Sequence, residues 1–245
     1  MTQVNDYFKT MNENLGPDPL PCQLSRGEIH RIIKGKVHRI DREFTAAFQF
    51  INKYEKSVTF FGSARFLETN VHYQKARLLA KKISDLGYTI LTGGGGGIME
   101  AANRGAFEAG NQSVGLNIQL PKEQIPNSYT TDAMEFDYFF ARKVALSFSA
   151  EAYVFFPGGF GTLDEMFEIL TLIQTRKIHR VPIILVGKDF WGPLETFMKN
   201  ILLEQEETVD PEHLSLYTVT DDDDEILRII KEVPIRKMIN KPAVC

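Results

Sequence analysis

From Ser57 onward one pattern repeats and restricts the fold more than any other feature: a short apolar run rich in β-branched and aromatic residues, a turn, then a longer stretch with apolar positions three and four apart. Six runs read as strands: SVTFFG (57–62), YTILTG (88–93), QSVGLNI (112–118), AYVFFP (152–157), VPIILVG (181–187) and a weaker LYTVT (216–220). Helices are expected between them over Tyr73–Leu86, Met99–Ala109, Phe139–Ala150, Thr162–Arg176 and Pro193–Glu204, with Asp222–Val233 last. The main strands are apolar on both faces, as a sheet covered on both sides requires. Strands alternating with helices are threaded in parallel through crossovers. The expected fold class is α/β, a three-layer, Rossmann-like, doubly wound parallel sheet.

Ahead of that pattern the organisation differs. Residues 1–24 hold little periodicity and contain GPDPLP, a cluster of helix breakers, and they read as an arm. Over residues 25–56 the positions Ile29, Ile32, Ile33, Val37, Ile40, Phe44, Phe48 and Ile51 form the stripe of an amphipathic helix, which must pack on its own domain or on a second subunit. Residues 57–245 then form the Rossmann-like domain. A total of 245 residues suits one large domain with such an appendage.

Several function classes are excluded on charge and composition. The net charge of −4, with no long basic stretch, argues against nucleic acid as a partner. No segment has the length and apolarity of a membrane span, and the N-terminus lacks a basic start and apolar core, so no membrane association and a cytoplasmic location are expected. Cys22 and Cys245 lie in unrelated surroundings, which suggests neither a disulfide framework nor a metal knuckle. The acidic run Asp221–Glu225 precedes the periodic ILRIIKEV and reads as a helix start. With the histidines scattered, no metal and no cofactor is expected.

In an open parallel sheet, ligands bind at the carboxyl ends of the strands, and three of the loops there carry glycine. The first is Gly62-Ser63-Ala64-Arg65, whose serine hydroxyl and arginine fork suit a phosphate. The second follows Thr92 and runs from Gly93 to Gly97 into IMEAANRGA. Its helix start offers amides to an anion, yet GxGxxG fails in every register and no P-loop Lys-Ser/Thr follows, so neither NAD nor an ATPase is supported. The third is Pro157-Gly158-Gly159-Phe160-Gly161-Thr162, again an anion cradle at a helix start. Thr162 and Glu165 have the spacing of a capping box, so a structural and a chemical reading of Glu165 both stand. Together the loops favour a phosphorylated ligand.

The stretch PGGFGTLDE resembles the PGGxGTxxE signature of the LOG family, phosphoribohydrolases that release the base from nucleoside 5′-monophosphates. GSAR, TGGGGGIMEAANRGA and FFARKVAL are similar to further family segments in the same order, over roughly residues 57–232. The long N-terminal helix and the GIMEAANRGA form resemble the longer bacterial branch, which includes proteins labelled AMP nucleosidase. An older family label, lysine decarboxylase, would require a Schiff-base lysine, and none is marked here.

The resemblance implies that Arg142 and Glu165 are the catalytic pair, with Lys143 beside them. It implies that Gly158, Gly159, Phe160, Gly161 and Thr162 hold the 5′-phosphate and that Gly93, Gly94, Gly95 and Gly96 line the floor. It places an acidic contact near Glu123 or Gln124, and it implies a homodimer or higher homo-oligomer. Asp164 is a candidate helper, Gly62, Ser63 and Arg65 complete the binding set, and aromatics such as Phe139 are candidates to flank the base. Cleavage passes through an oxocarbenium-like sugar, which needs negative charge near the ribose, a water nucleophile and a positioned phosphate. The expected reaction is hydrolysis of a purine nucleoside 5′-monophosphate, AMP or a cytokinin riboside monophosphate, to free base and ribose 5-phosphate. A non-catalytic nucleotide or cofactor carrier of the same fold is the alternative.

Overall fold

The computed structural model describes residues 26–119 and 126–234. The arm, Cys22, Cys245 and Glu123 lie outside the described residues. Helix α1 (Arg26–Ile51) comes first, and the chain divides into two compact units within it, after Arg42. In the first unit Ile32, Ile33 and Val37 are exposed. In the second, Ala47, Phe50 and Ile51 are buried, so the last part of the expected stripe packs on the core.

Seven parallel strands form one sheet among the described residues, in the order β4-β3-β2-β1-β5-β6-β7. They are β1 (Ser57–Phe61), β2 (Thr89–Thr92), β3 (Ser113–Ile118), β4 (Asp132–Phe136), β5 (Ala152–Phe155), β6 (Ile183–Leu185) and β7 (Tyr217–Val219). Helices α2 (Val71–Asp85), α3 (Ile98–Glu108), α4 (Phe139–Ser147), α5 (Phe160–Gln174), α6 (Lys188–Phe197) and α7 (Asp223–Glu232) connect them. Two cores result. Val58, Phe60, Ile90 and Val154 face α2, α3 and α7, while Phe61, Leu91, Tyr153 and Phe155 face α4 and α5. This is the doubly wound, three-layer α/β architecture, and every residue of β1, β2, β3, β5 and β6 is buried.

One strand and one helix start differ here from the sequence reading. Strand β4 was not expected, because its residues alternate between partly buried and exposed along an edge of the sheet and carry Asp132 and Glu135. Helix α6 begins before Pro193, which lies inside it. The cause is Gly187, which turns out of β6 at φ 109, and Asp221, whose carboxylate accepts the amides of Gly187 and Lys188 at 2.6 and 3.1 Å. Asp222 caps α7 as expected, accepting the amide of Asp224 at 2.9 Å.

The order of strands fixes where a ligand can sit. From β1 the chain winds outward through β2, β3 and β4, then returns to β5 on the other side of β1. The crossovers therefore diverge between β1 and β5, leaving a crevice outside their carboxyl ends. The loops that follow these two strands are Gly62–Arg65 and Pro157–Gly159.

Candidate active site

A cavity of about 790 Å³ opens at that switch point. It gathers Gly62, Ser63 and Arg65 from the first loop, Gly93 from the second, Arg142 from α4, and Gly158, Gly159, Phe160, Gly161, Thr162 and Glu165 from the third. Its volume suits a nucleotide-sized ligand. A neighbouring hollow of about 930 Å³ shares Ser63, Gly158 and Phe190 with it, but neither Arg142 nor Glu165 reaches there.

Ser63 ties the loops together: its amide donates to the Pro157 carbonyl and its own carbonyl accepts the Ile98 amide, both at 3.0 Å. Glycine is needed where the loops meet. A Cβ on Gly97, which has φ 66, would lie 2.2 Å from the Ser63 carbonyl oxygen, and one on Gly62 would lie 2.7 Å from Ile98. The five-glycine run is thus a close-packing device. Asn103, fully buried on α3, accepts from the Thr92 hydroxyl at 2.6 Å and from Asn127 Nδ2 at 2.9 Å, and donates to Ser113 Oγ at 2.9 Å. Asn127 in turn donates its amide to the Gly94 carbonyl and its Nδ2 to the Gly95 carbonyl, at 2.9 and 3.1 Å. Gly94, Gly95 and Gly96 stand behind the cavity, not in its lining.

The third loop is built differently. Helix α5 opens at Phe160 with Gly159 as its N-cap, and no side chain caps it. The expected capping box between Thr162 and Glu165 is therefore absent: the helix starts earlier than expected, which puts Thr162 inside its first turn with its side chain folded back on Gly158. A helix leaves its first amides without internal partners, and those of Phe160, Gly161 and Thr162 border the cavity beside the positive end of the helix dipole.

Arg142 is buried, with Nε donating to the Leu116 carbonyl at 2.7 Å and one terminal nitrogen donating to the Gly93 carbonyl at 3.4 Å. Burial pulls its pKa down from the usual arginine range, and the Glu165 charge opposes that. Glu165 shares the cavity with Arg142, yet no ion pair within 4.0 Å closes between them. Burial pushes the Glu165 pKa up to about 7, with Asp164 adding to the rise and Arg142 and Lys143 working against it. Lys143 points away, paired with Asp164 at 2.8 Å and with Glu168 at 3.3 Å, so neither Lys143 nor Asp164 lines the cavity. Phe61, Ala64, Met99, Leu163 and Phe190 line it without having been singled out as site residues, and Phe139, weighed as a flank for the base, does too.

A family model described as "Possible lysine decarboxylase" matches residues 99–230, more than half of the chain. Proteins named as cytokinin riboside 5′-monophosphate phosphoribohydrolases are among those this chain resembles in sequence. The chain belongs to the LOG family. Among its LOG relatives, the rice (Oryza sativa subsp. japonica) protein of that name is 27% identical over 154 residues, 60% of this chain and 61% of the rice one. The match thus spans about three-fifths of the rice protein's length. The Arabidopsis thaliana LOG2 protein is 27% identical over 60% of this chain and 70% of its own. Among solved structures, the molybdenum cofactor carrier protein of Chlamydomonas reinhardtii superposes with a TM-score of 0.53 at 22% identity, covering 73% of this chain and 97% of that one. The molybdenum cofactor binding protein of Rippkaea orientalis gives 0.52 at 22% identity, over 71% and 93%. These two likenesses concern the fold. No lysine lines this cavity, whereas a Schiff-base decarboxylase would need one there.

Among the described residues, no group of three or more His, Cys, Asp or Glu side chains is placed to hold a metal, and no helix is long and apolar enough to cross a membrane.

Proposed function

We propose that the chain hydrolyses the N-glycosidic bond of a purine nucleoside 5′-monophosphate, with AMP as the first candidate, giving free base and ribose 5-phosphate. The observation that carries this reading is the pairing of an uncapped helix start with a carboxylate one turn further along the same helix, facing a buried arginine. The amides of Phe160, Gly161 and Thr162 would take the 5′-phosphate, and Ser63 with Arg65 would close over it from the first loop. Phosphate in that position puts the ribose between Glu165 and Arg142, within the gap that the two side chains leave open.

As the bond to the base breaks, its electron pair leaves with the base and the sugar becomes cationic. Ionised Glu165 would stabilise that cation and accept a proton from the water that adds to the anomeric carbon. A pKa of about 7 leaves a large share of Glu165 ionised at neutral pH while keeping it basic enough for that transfer. Arg142, held by two backbone carbonyls, would fix the sugar phosphate and favour the ionised form of Glu165. Met99 and Phe139 give the base an apolar surface. Asp164 and Lys143 would act only through the field they place around Glu165.

Production of adenine from AMP and from isopentenyladenosine monophosphate, measured side by side, tests the reaction and the choice of AMP. A strong preference for the prenylated substrate would replace AMP, and release of base from neither would remove the enzymatic reading. The second reading is a carrier that binds a phosphorylated cofactor without cleaving it, favoured by the fold likeness to molybdenum cofactor carriers. AMP binding with no ribose 5-phosphate after long incubation would select it.

We further propose at least a homodimer, in the cytoplasm, with the exposed aromatics Phe139 and Phe160 of the site covered by the second copy. A single-chain mass in light scattering at micromolar concentration would refute the dimer.

A further inference from the structure

At the opposite, amino-terminal edge of the sheet a second cavity gathers polar groups. The last turn of α5, the segment entering β6 and the 3₁₀ turn Pro211–Ser215 enclose about 580 Å³, lined by Arg176, His179, Arg180, Glu212 and His213 over Ile178. Three features give this cavity a chemistry.

Arg176 has φ 58, the left-handed region, in the turn where the amides of Arg176 and Lys177 close on the carbonyls of Ile173 and Leu172. Glycine takes this position without strain, whereas an L side chain does not. The same two amides satisfy the Ile173 and Leu172 carbonyls at the end of α5. Next, the basic side chains lack acidic partners. Among the described residues no carboxylate lies within 4.0 Å of Arg176, His179 or Arg180, and Arg180 donates only to the Ser215 carbonyl at 2.6 Å and, at 3.4 Å, to its hydroxyl. Glu212 is the single acid in the lining and is exposed, as Arg176, His179 and Arg180 are, while Asp210 stands 3.8 Å from His213 Nδ1. Finally, His213 Nδ1 accepts the Asp210 amide at 2.9 Å. The proton of the neutral ring therefore sits on Nε2, which is a donor in either charge state.

We propose that this cavity is a second anion site, separate from the substrate cradle, that binds a small phosphorylated molecule. Two guanidinium groups and a fixed imidazole donor match the several acceptor oxygens and the double charge of a phosphate ester. Helix α5 joins the two sites: Glu165 lies near its start and this cavity at its end, roughly 15 Å apart along a helix of this length.

Titration of the full chain with pyrophosphate in a calorimeter tests the proposal, comparing wild type with Arg176→Gly and His179→Gln. Arg176→Gly removes a cation while relieving the left-handed residue, so its melting temperature should hold or rise and lost binding cannot be ascribed to misfolding. The expected result is a class of binding that weakens at least tenfold in Arg176→Gly and less in His179→Gln, with AMP cleavage in the absence of pyrophosphate unchanged. Binding at the substrate cradle would survive both substitutions, so failure of the cavity and failure of the cradle are read separately. Titrations of Arg176→Gly that superpose on wild type would overturn the proposal.

Discussion

The Glu43 carboxylate accepts the backbone amide of Tyr138 at 3.1 Å and that of Asp137 at 3.3 Å, so the end of α1 caps the helix that carries Arg142. Tyr138, the N-cap of α4, makes no side-chain cap of its own. Close by, Tyr54 donates to Asp132 at 2.7 Å, which pins β4 to the same segment.

Removing that cap should loosen the start of α4. Glu43→Ala is expected to lower stability by about 1 kcal/mol and to reduce AMP turnover several-fold, because Arg142 lies in the first turn of that helix. Thermal melts beside steady-state kinetics check it; full activity in a destabilised variant would show that Arg142 is held by Leu116 and Gly93 alone.

Glu165→Gln should abolish at least 99% of the activity, on the roughly 100-fold or larger contribution of a positioned base. Stability should change in a pH-dependent way. The folded pKa of about 7 lies above the ordinary glutamate value of 4.5, so the folded state holds this proton more tightly than the unfolded state. Wild type is therefore favoured at low pH and loses that advantage as pH rises from about 4.5 through 7, whereas the glutamine variant does not. Chemical denaturation of both proteins at pH 4.5 and pH 8 measures the difference.

The rate should follow the same titration with the opposite benefit. If ionised Glu165 is the form that works, kcat/KM for AMP rises with pH and levels off above about 7. A profile flat from pH 5 to 8 would take the proton-accepting role away from Glu165.

Gly93→Ala tests the seat of Arg142. The added methyl would lie 2.2 Å from a terminal nitrogen of Arg142 and 2.8 Å from the sulfur of Met99. Both neighbours are side-chain ends that can move, so the fold should persist while the guanidinium is displaced. Turnover is expected to fall by about 100-fold, in line with the sensitivity of catalysis to small misplacements, with circular dichroism unchanged.

Much of this arrangement was legible in the sequence because its signals are local. Apolar runs bounded by glycine mark strands wherever both faces are covered, and PGGFGT before a periodic stretch marks a helix start near a ligand. The unread parts depend on contacts between distant segments. β4 alternates and carries charge because it lies at an edge, so its sequence resembles a loop. Asn103 lies within IMEAANRGA, and only the fold reveals that it anchors Thr92, Ser113 and Asn127. Its unusual position, a poor helix former on an apolar helix face, was the available clue. The role of Glu43 left no trace, since its partners are backbone amides that any sequence would offer.

Thr162 and Glu165 show a spacing rule yielding to geometry. The rule assumes that threonine is the last residue before the helix, but the preceding glycines let the chain turn in earlier. The carboxylate is then free of backbone duty and available to a ligand.

The adjacency of β1 and β5 also bears on how the molecule is made. Phe61 pairs with Phe155 across that seam, and between them the chain must first complete β2, β3 and β4. During synthesis the half of the crevice formed by Gly62–Arg65 emerges long before the half formed by Gly158–Glu165. Ligand-binding competence therefore arises late, when the returning strand docks, and a partial chain ending before Ala152 would carry most of one helical layer but no place to bind.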